Sequence, residues 1–291
     1  MIKNLRNYCF LLALSLLTMN CGSEEEVDTE PVVEDTACYF TREVFTNPTT
    51  GQTRTREFVY GNDRLEVINE TTNFPTATTL NLVAEYDAQG RVSRTVTLQN
   101  GREMQYYTFE YDNQSLLRKI NLFADRNGTL GLNSSMELEY NAQKQITTSK
   151  NYFLLGSAPL LTNDITYTYD ANGNMIRSRE YRILSFRGAE VLADVVINMQ
   201  YTHDDKINPH YRVPYLQYTY PNTMAITLSK NNSVSVVSST STEGTQKGPG
   251  TLDLRPFNYS RTFTHSYSDK NWPLTRNGAD GTSTTYTYIC E

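Results

Sequence analysis

Apolar and aromatic residues recur at every second position over most of the chain, the period of a β-strand with one face turned to a core. Tyr107, Phe109 and Tyr111 fall on one face, with Thr108 and Glu110 on the other. After Gln89-Gly90, the residues Val92, Val96 and Leu98 fall on one face, with Arg94 as the intruder. Turn signals separate such runs: Asn100-Gly101, Asn127-Gly128, Asn172-Gly173, Asn277-Gly278 and Asp280-Gly281. Asn172-Gly173 is the clearest hairpin signal, because both residues tolerate positive φ. Outside the first twenty residues no long window carries a 3.6-residue apolar stripe, so little helix is expected.

The strands are organised in a repeat. Its unit is an aromatic residue, one intervening residue, Tyr, then Asp or Asn, a turn, and an apolar residue opening the return strand. Copies centre on Tyr60, on Tyr86-Asp87, on Tyr111-Asp112, on Tyr140-Asn141 and on Tyr169-Asp170-Ala171-Asn172-Gly173. Weaker copies hold Tyr201 and Tyr267, and Tyr286-Thr287-Tyr288 closes the series as a half-unit. The first six tyrosines are spaced by 26, 25, 29, 29 and 32 residues. Each unit reads as strand, tight turn and return strand. The expected fold is therefore all-β: one antiparallel meander of repeated β-hairpins over 38–291, curled into a half-barrel or sheet roll, because strongly twisted sheets this long rarely stay open. A flatter single-layer sheet with both faces partly wet is the alternative.

Composition agrees with strands. Of the aromatic residues 21 are Tyr, 11 Phe and one Trp, and there are 38 Thr; Tyr and Thr suit half-wet pleated surfaces. Residues 238–251, rich in Ser, Thr and Gly, read as a loop within the body.

The N-terminus has its own logic. Lys3 and Arg6 precede an apolar run from Tyr8 to Leu17, the pattern of a secretory signal and too short to span a bilayer. Cys21, followed at once by Gly22-Ser23, resembles the cleavage site of a bacterial lipoprotein (lipobox), with Thr18 and Asn20 where that site usually has Leu and a small residue. The resemblance implies a signal peptide at 1–20, lipid on Cys21 and a tether over 21–37. The tether holds Glu24, Glu25, Glu26, Asp28, Glu30, Glu34 and Asp35 and no basic residue, so it is solvated and self-repelling. An acidic stretch there also resembles the surface-export signal of Bacteroidetes-type lipoproteins; a plain spacer is the other reading. With these segments set aside, 38–291 carry 24 basic against 25 acidic residues. A nearly neutral body has no basic stripe for phosphates, which weighs against nucleic acid as a partner.

Cys9 leaves with the signal and Cys21 takes the lipid, so Cys38 and Cys290 remain. An even pair in an exported protein reads as a disulfide tying the first strand to the last, with two free thiols or a metal site as alternatives.

The Tyr-Asp-x-x-Gly-x-apolar unit resembles the YD repeat of Rhs-type proteins, and more closely Bacteroidetes-type cell-envelope lipoproteins of unknown function built from such units. Tyr201-Thr202-His203-Asp204-Asp205-Lys206-Ile207-Asn208-Pro209, Ser229-Lys230-Asn231-Asn232 and Tyr286-Thr287-Tyr288-Ile289-Cys290 look like further pieces of that family. Asn141 in place of Asp, and His203 where the turn Asp is usual, depart from it. The resemblance brings no catalytic residue.

Direct chemistry is sparse. His203, Asp204, Asp205 and His210 could group as metal ligands, but their spacing fits no metal motif, and a turn or surface role suits His203 better. His265 completes the histidines. No catalytic or phosphate-binding motif is present, and no catalytic, metal or cofactor residue is assigned. The expected function is a lipid-anchored, outer-membrane envelope module that binds or scaffolds without catalysis, on the cell surface or else facing the periplasm. Its expected partners are the membrane and a glycan or envelope protein. A glycan-capturing lipoprotein would show a row of exposed tyrosines; a periplasmic carrier of lipid or acylated peptide would show an apolar concavity. An enzyme would need convergent carboxylates or His in a cleft.

Overall fold

The computed structural model describes residues 38–126, 128–155, 158–188, 190–212, 224–241 and 253–290. The signal peptide, Cys21, the acidic tether and Asn127 lie outside the described residues.

Sixteen strands run in chain order: β1 (Cys38–Asn47), β2 (Gln52–Gly61), β3 (Arg64–Thr72), β4 (Thr78–Tyr86), β5 (Val92–Gln99), β6 (Arg102–Tyr111), β7 (Leu117–Arg126), β8 (Thr129–Tyr140), β9 (Ile146–Leu155), β10 (Ala158–Tyr169), β11 (Met175–Arg187), β12 (Glu190–Ile207), β13 (Asn231–Ser241), β14 (Tyr259–Tyr267), β15 (Pro273–Gly278) and β16 (Ser283–Cys290). Each pairs antiparallel with its neighbours, and β1 pairs with β16, so the meander closes into a barrel. The half-barrel and roll expected from sequence are corrected here: the twisted sheet finds its last edge on its first, which leaves no free edge to protect. A disulfide joins Cys38 to Cys290 at that seam, where the two residues stand in register.

The repeat explains the end of the barrel that carries the Tyr-Asp turns. Asp87 Oδ1 accepts the backbone N–H groups of Gln89 and Arg91 at 2.9 and 2.8 Å, and Gly90 takes φ +79°. Asp112, Asn141 and Asp170 accept from the residue four places on at 3.0, 2.9 and 2.8 Å. At Asn172-Gly173 only Gly173 takes positive φ, at 85°. That hairpin is therefore a three-residue loop begun by Asp170, not the two-residue turn its dipeptide suggests. Asn100-Gly101, with φ 52° and 76°, does form the latter. Asn141 replaces Asp without loss, because its Nδ2 donates to Gln145 Oε1 at 2.8 Å, where Asp87 and Asp112 instead receive an Arg. Hydrogen bonds to the ionised form keep Asp112 below the usual carboxylate range, first among them that from the Leu116 backbone.

Behind each turn stands a β-bulge. Tyr86 pairs with Val92 and Glu85 with Arg94, leaving Ser93 as the extra residue. The bulge switches faces: Val92 and Thr95 point inward, while Val96 points outward, which corrects the single Val92/Val96/Leu98 face read from the alternation. Leu65 with Ile68 and Leu117 with Ile120 follow the same rule, and all four are core residues. The repeat tyrosines lie inside and act around the circumference. Their hydroxyls donate to backbone carbonyls one hairpin back: Tyr60 to Phe40 (2.9 Å), Tyr86 to Leu65 (2.6 Å), Tyr111 to Val92 (2.8 Å), Tyr140 to Leu117 (2.7 Å) and Tyr169 to Ile146 (2.7 Å). Each bond is worth about 1 kcal/mol. Tyr288 closes the series on Pro273 at 2.8 Å. Burial raises Tyr60, Tyr86, Tyr169 and Tyr288 above the ordinary phenol value.

The two weaker copies depart from this latch. Tyr201 reaches Met199 Sδ at 3.0 Å, and Tyr267 bonds Asp204. Between them lies the long β12–β13 connection. It includes a 3₁₀ turn at Pro209–Arg212 and a one-turn helix at Met224–Thr227. Leu228 joins the core cluster, Ser229 Oγ takes the Met175 N–H at 3.0 Å, and Asn208 Nδ2 donates to the Ile226 and Ser229 carbonyls at 2.8 and 2.9 Å. Asn208, Leu228 and Ser229 thus fill the interior where the tyrosine series is interrupted. Residues 238–241, expected in a loop, belong to β13, and Ser238 is buried with its hydroxyl on the Phe257 carbonyl at 2.6 Å. Residues 242–251 lie outside the described residues.

The outer face is mixed: on β2 to β7 the residues Val59, Val67, Val83, Val96, Tyr106 and Phe123 form an apolar row in direct register. Lys119, Glu137, Lys150 and Asp164 stand in direct register on β7 to β10, a belt of alternating sign. Arg42 faces Glu57 at 3.7 Å, and Arg94 faces Glu85 at 3.0 Å. A barrel in lipid needs an apolar band around its whole outside, and the charged row on β7 to β10 interrupts one.

Candidate functional site

Opposite the regular repeats, strands β12 to β16 with β1 and β2 enclose a cavity of about 370 Å³. Its lining follows from period two on a face that is otherwise core. Glu43 and Phe45 enter from β1, Arg54 and Arg56 from β2, Tyr201 and His203 from β12, and Val236 from β13. β14 contributes Tyr259, Arg261, Phe263 and His265; Arg276 comes from β15, and Thr284 and Tyr286 from β16. The connection adds Asn208, His210, Ile226 and Ser229 from below.

The charges divide in two. Glu43 is 3% exposed and is held by Arg56 Nη1 at 3.0 Å, Arg54 Nη2 at 3.7 Å and His210 Nε2 at 2.9 Å. Arg56 also reaches Glu70 at 2.7 Å. Burial alone would raise the Glu43 carboxyl; the bond and charge of His210, with Arg56 and Arg54, outweigh it and hold Glu43 at about 2. On β14 and β15, Arg261 and Arg276 have no carboxylate at ion-pair distance among the described residues. Each lies over an aromatic ring instead: Arg276 3.6 Å from the centroid of Phe263, Arg261 5.0 Å from that of Tyr259. Arg261 is exposed, so the cavity has a wet mouth there. Burial pushes Arg276 below the ordinary guanidinium value.

His203 and His265 face this half. The Nδ1 atom of each is buried without a hydrogen-bond partner, and burial lowers both rings below the ordinary imidazole value. His203 lies within β12, not in a turn, which corrects the role read from the repeat. The cluster imagined from sequence is taken apart. Asp204 is used structurally, receiving the Tyr267 hydroxyl and the backbone N–H groups of Lys206 and Asn232. Asp205 is exposed and pairs with Lys206. Among the described residues no group of three His, Cys, Asp or Glu could hold a metal ion.

Sequence reasoning named the three histidines and missed the arginines. The available signal was Tyr259-x-Arg261-x-Phe263-x-His265, a cation on the aromatic face of a strand. The repeat tyrosines, singled out from sequence, line the core with their hydroxyls occupied and lie apart from this cavity, except Tyr201. Burial raises Tyr201 to about 12.

Known structures share the architecture. The chain is similar to a porin-like protein from Bacteroides uniformis ATCC 8492, with a TM-score of 0.53 and 10% identity over 86% of this chain and 98% of that one. It is similar to a porin-like protein from Bacteroides vulgatus ATCC 8482, with a TM-score of 0.53 and 9% identity over 87% of this chain and 99% of that one. No protein-family model matches the chain. No curated protein matches it in sequence. At 10% and 9% identity the likeness is one of fold.

Proposed function

We propose that the protein is a non-enzymatic binding module of the cell envelope. Its barrel stands in water, lipid on Cys21 holds it at the outer membrane, and its ligand enters the interior cavity. The observation that carries this reading is the charged belt Lys119–Glu137–Lys150–Asp164 on the outer face. Each basic residue there would cost about 2–4 kcal/mol at a bilayer midplane, whereas in water the belt costs nothing. The likeness to porin-like Bacteroides proteins supports an envelope location, and the charged belt argues for a use of the fold other than as a pore. The apolar core is filled by its own side chains, and the remaining space places Arg54, Arg56, Arg261 and Arg276 among Phe45, Val236 and Phe263, a charged lining that disfavours an acyl-chain cargo. The repeat tyrosines point inward with bonded hydroxyls, so they supply no outward row for stacking on a glycan.

Membrane fractionation tests the reading. The native chain should stay with membranes through an alkaline carbonate wash, while the Cys21→Ser chain should be recovered folded and soluble without detergent. A Cys21→Ser chain that remains an integral membrane protein contradicts the proposal.

A further inference from the structure

We infer that the cavity binds a small molecule through a carboxylate, sulfate or phosphate group held between Arg261 and Arg276. The inference rests on the binding-module reading and adds the class of ligand.

The charge pattern is the first ground. Glu43 is saturated by Arg54, Arg56 and His210 on its own side of the cavity. Among the described residues, Arg261 and Arg276 have no carboxylate at ion-pair distance, and for the half-buried Arg276 that is costly. Asp280 lies near both, yet its Oδ1 is occupied by Thr282 at 2.6 Å. Burial disfavours the charge on Arg276 most; Tyr286, Glu43 and Asp280 favour it, and Arg261 opposes it. An oxyanion between them would relieve both effects.

Geometry is the second. Arg276 lies over Phe263 and Arg261 over Tyr259, and both guanidinium groups line the same cavity, the kind of group that bonds a planar or tetrahedral oxyanion. His203 and His265 add ring nitrogens that no protein group satisfies. Buried polar atoms of that kind are uncommon in a folded protein, and a ligand bonded to them accounts for both. A volume of about 370 Å³ is at the small end of ligand sites, too small for a polymer.

Calorimetric titration of the mature chain with inorganic phosphate, sodium sulfate and D-glucuronate, with D-glucose as the neutral control, tests this. At least one oxyanion should bind, more weakly as salt rises, and glucose should not. Preference for phosphate or sulfate identifies a free inorganic ion; preference for glucuronate identifies an acidic organic ligand. Arg276→Gln and Arg261→Gln should each weaken binding about tenfold or more, and Arg42→Gln, on the outer face, should leave it unchanged. In the native chain, imidazole nitrogen resonances of His203 and His265 should shift on saturation, a readout independent of whether any variant folds. Absence of oxyanion binding, or equal binding by the native chain and both cavity variants, overturns the inference. If this happens in a chain that Cys21→Ser releases from membranes, only the ligand class fails. A chain that stays in the membrane defeats the functional reading instead.

Discussion

Glu43→Gln should destabilise the barrel by about 3–5 kcal/mol in urea titration, the cost of removing one partner from a buried charge cluster. The change is nearly isosteric, so the loss is electrostatic. Arg56 keeps Glu70, but Arg54 and His210 lose their shared acceptor. The same group sets a pH dependence. A carboxyl held at about 2, against an ordinary 4.5, stabilises the fold fully above 4.5, and that contribution fades as pH falls toward 2. The span corresponds to about 3 kcal/mol. The stability gap between the native chain and Glu43→Gln should therefore be widest near neutral pH and narrow through this acidic window. A gap that stays constant to the acid limit would show that Glu43 is not ionised in the fold.

Replacing both cysteines, Cys38→Ser with Cys290→Ser, should lower stability by about 3–5 kcal/mol while leaving the barrel closed. The bond links residues 252 apart in sequence, so its main effect is on the unfolded chain, whose ends it holds together. In the folded barrel the seam has its own support, because β1 and β16 pair from Cys38–Cys290 to Thr46–Ser283. The double variant should show native far-ultraviolet circular dichroism and a lower urea midpoint. An unchanged midpoint would mean that the denatured ensemble keeps its ends together without the bond.

The repeat was legible because its chemistry is local. An Asp or Asn that caps its own turn, a residue with positive φ three places later, and an aromatic strand before it all lie within one short window. Closure was not, since it depends on β1 finding β16, a pairing across nearly the whole body that no local pattern encodes. The bulges were also hidden: one extra residue such as Ser93 reverses every face after it, so simple alternation put Val92 and Val96 together when the barrel separates them. The cavity was illegible for the reason closure was. Arg54 and Arg56 lie about 200 residues from Arg261 and Arg276, and only the closed seam brings them around one space. His203 read as a turn residue because the repeat was extended one unit too far; β12 runs on through that position to Ile207.

The central proposal is that the barrel, with its charged outer belt on β7 to β10, stands in water. Spin labels on outward positions of four strands, β6, β9, β10 and β16, test it most directly: Thr108, Thr148, Thr166 and Thr285, each replaced by Cys in the native chain. Every label should be more accessible to a water-soluble nickel relaxant than to dissolved oxygen. The opposite preference at all four labels would place the barrel wall in lipid and contradict the account.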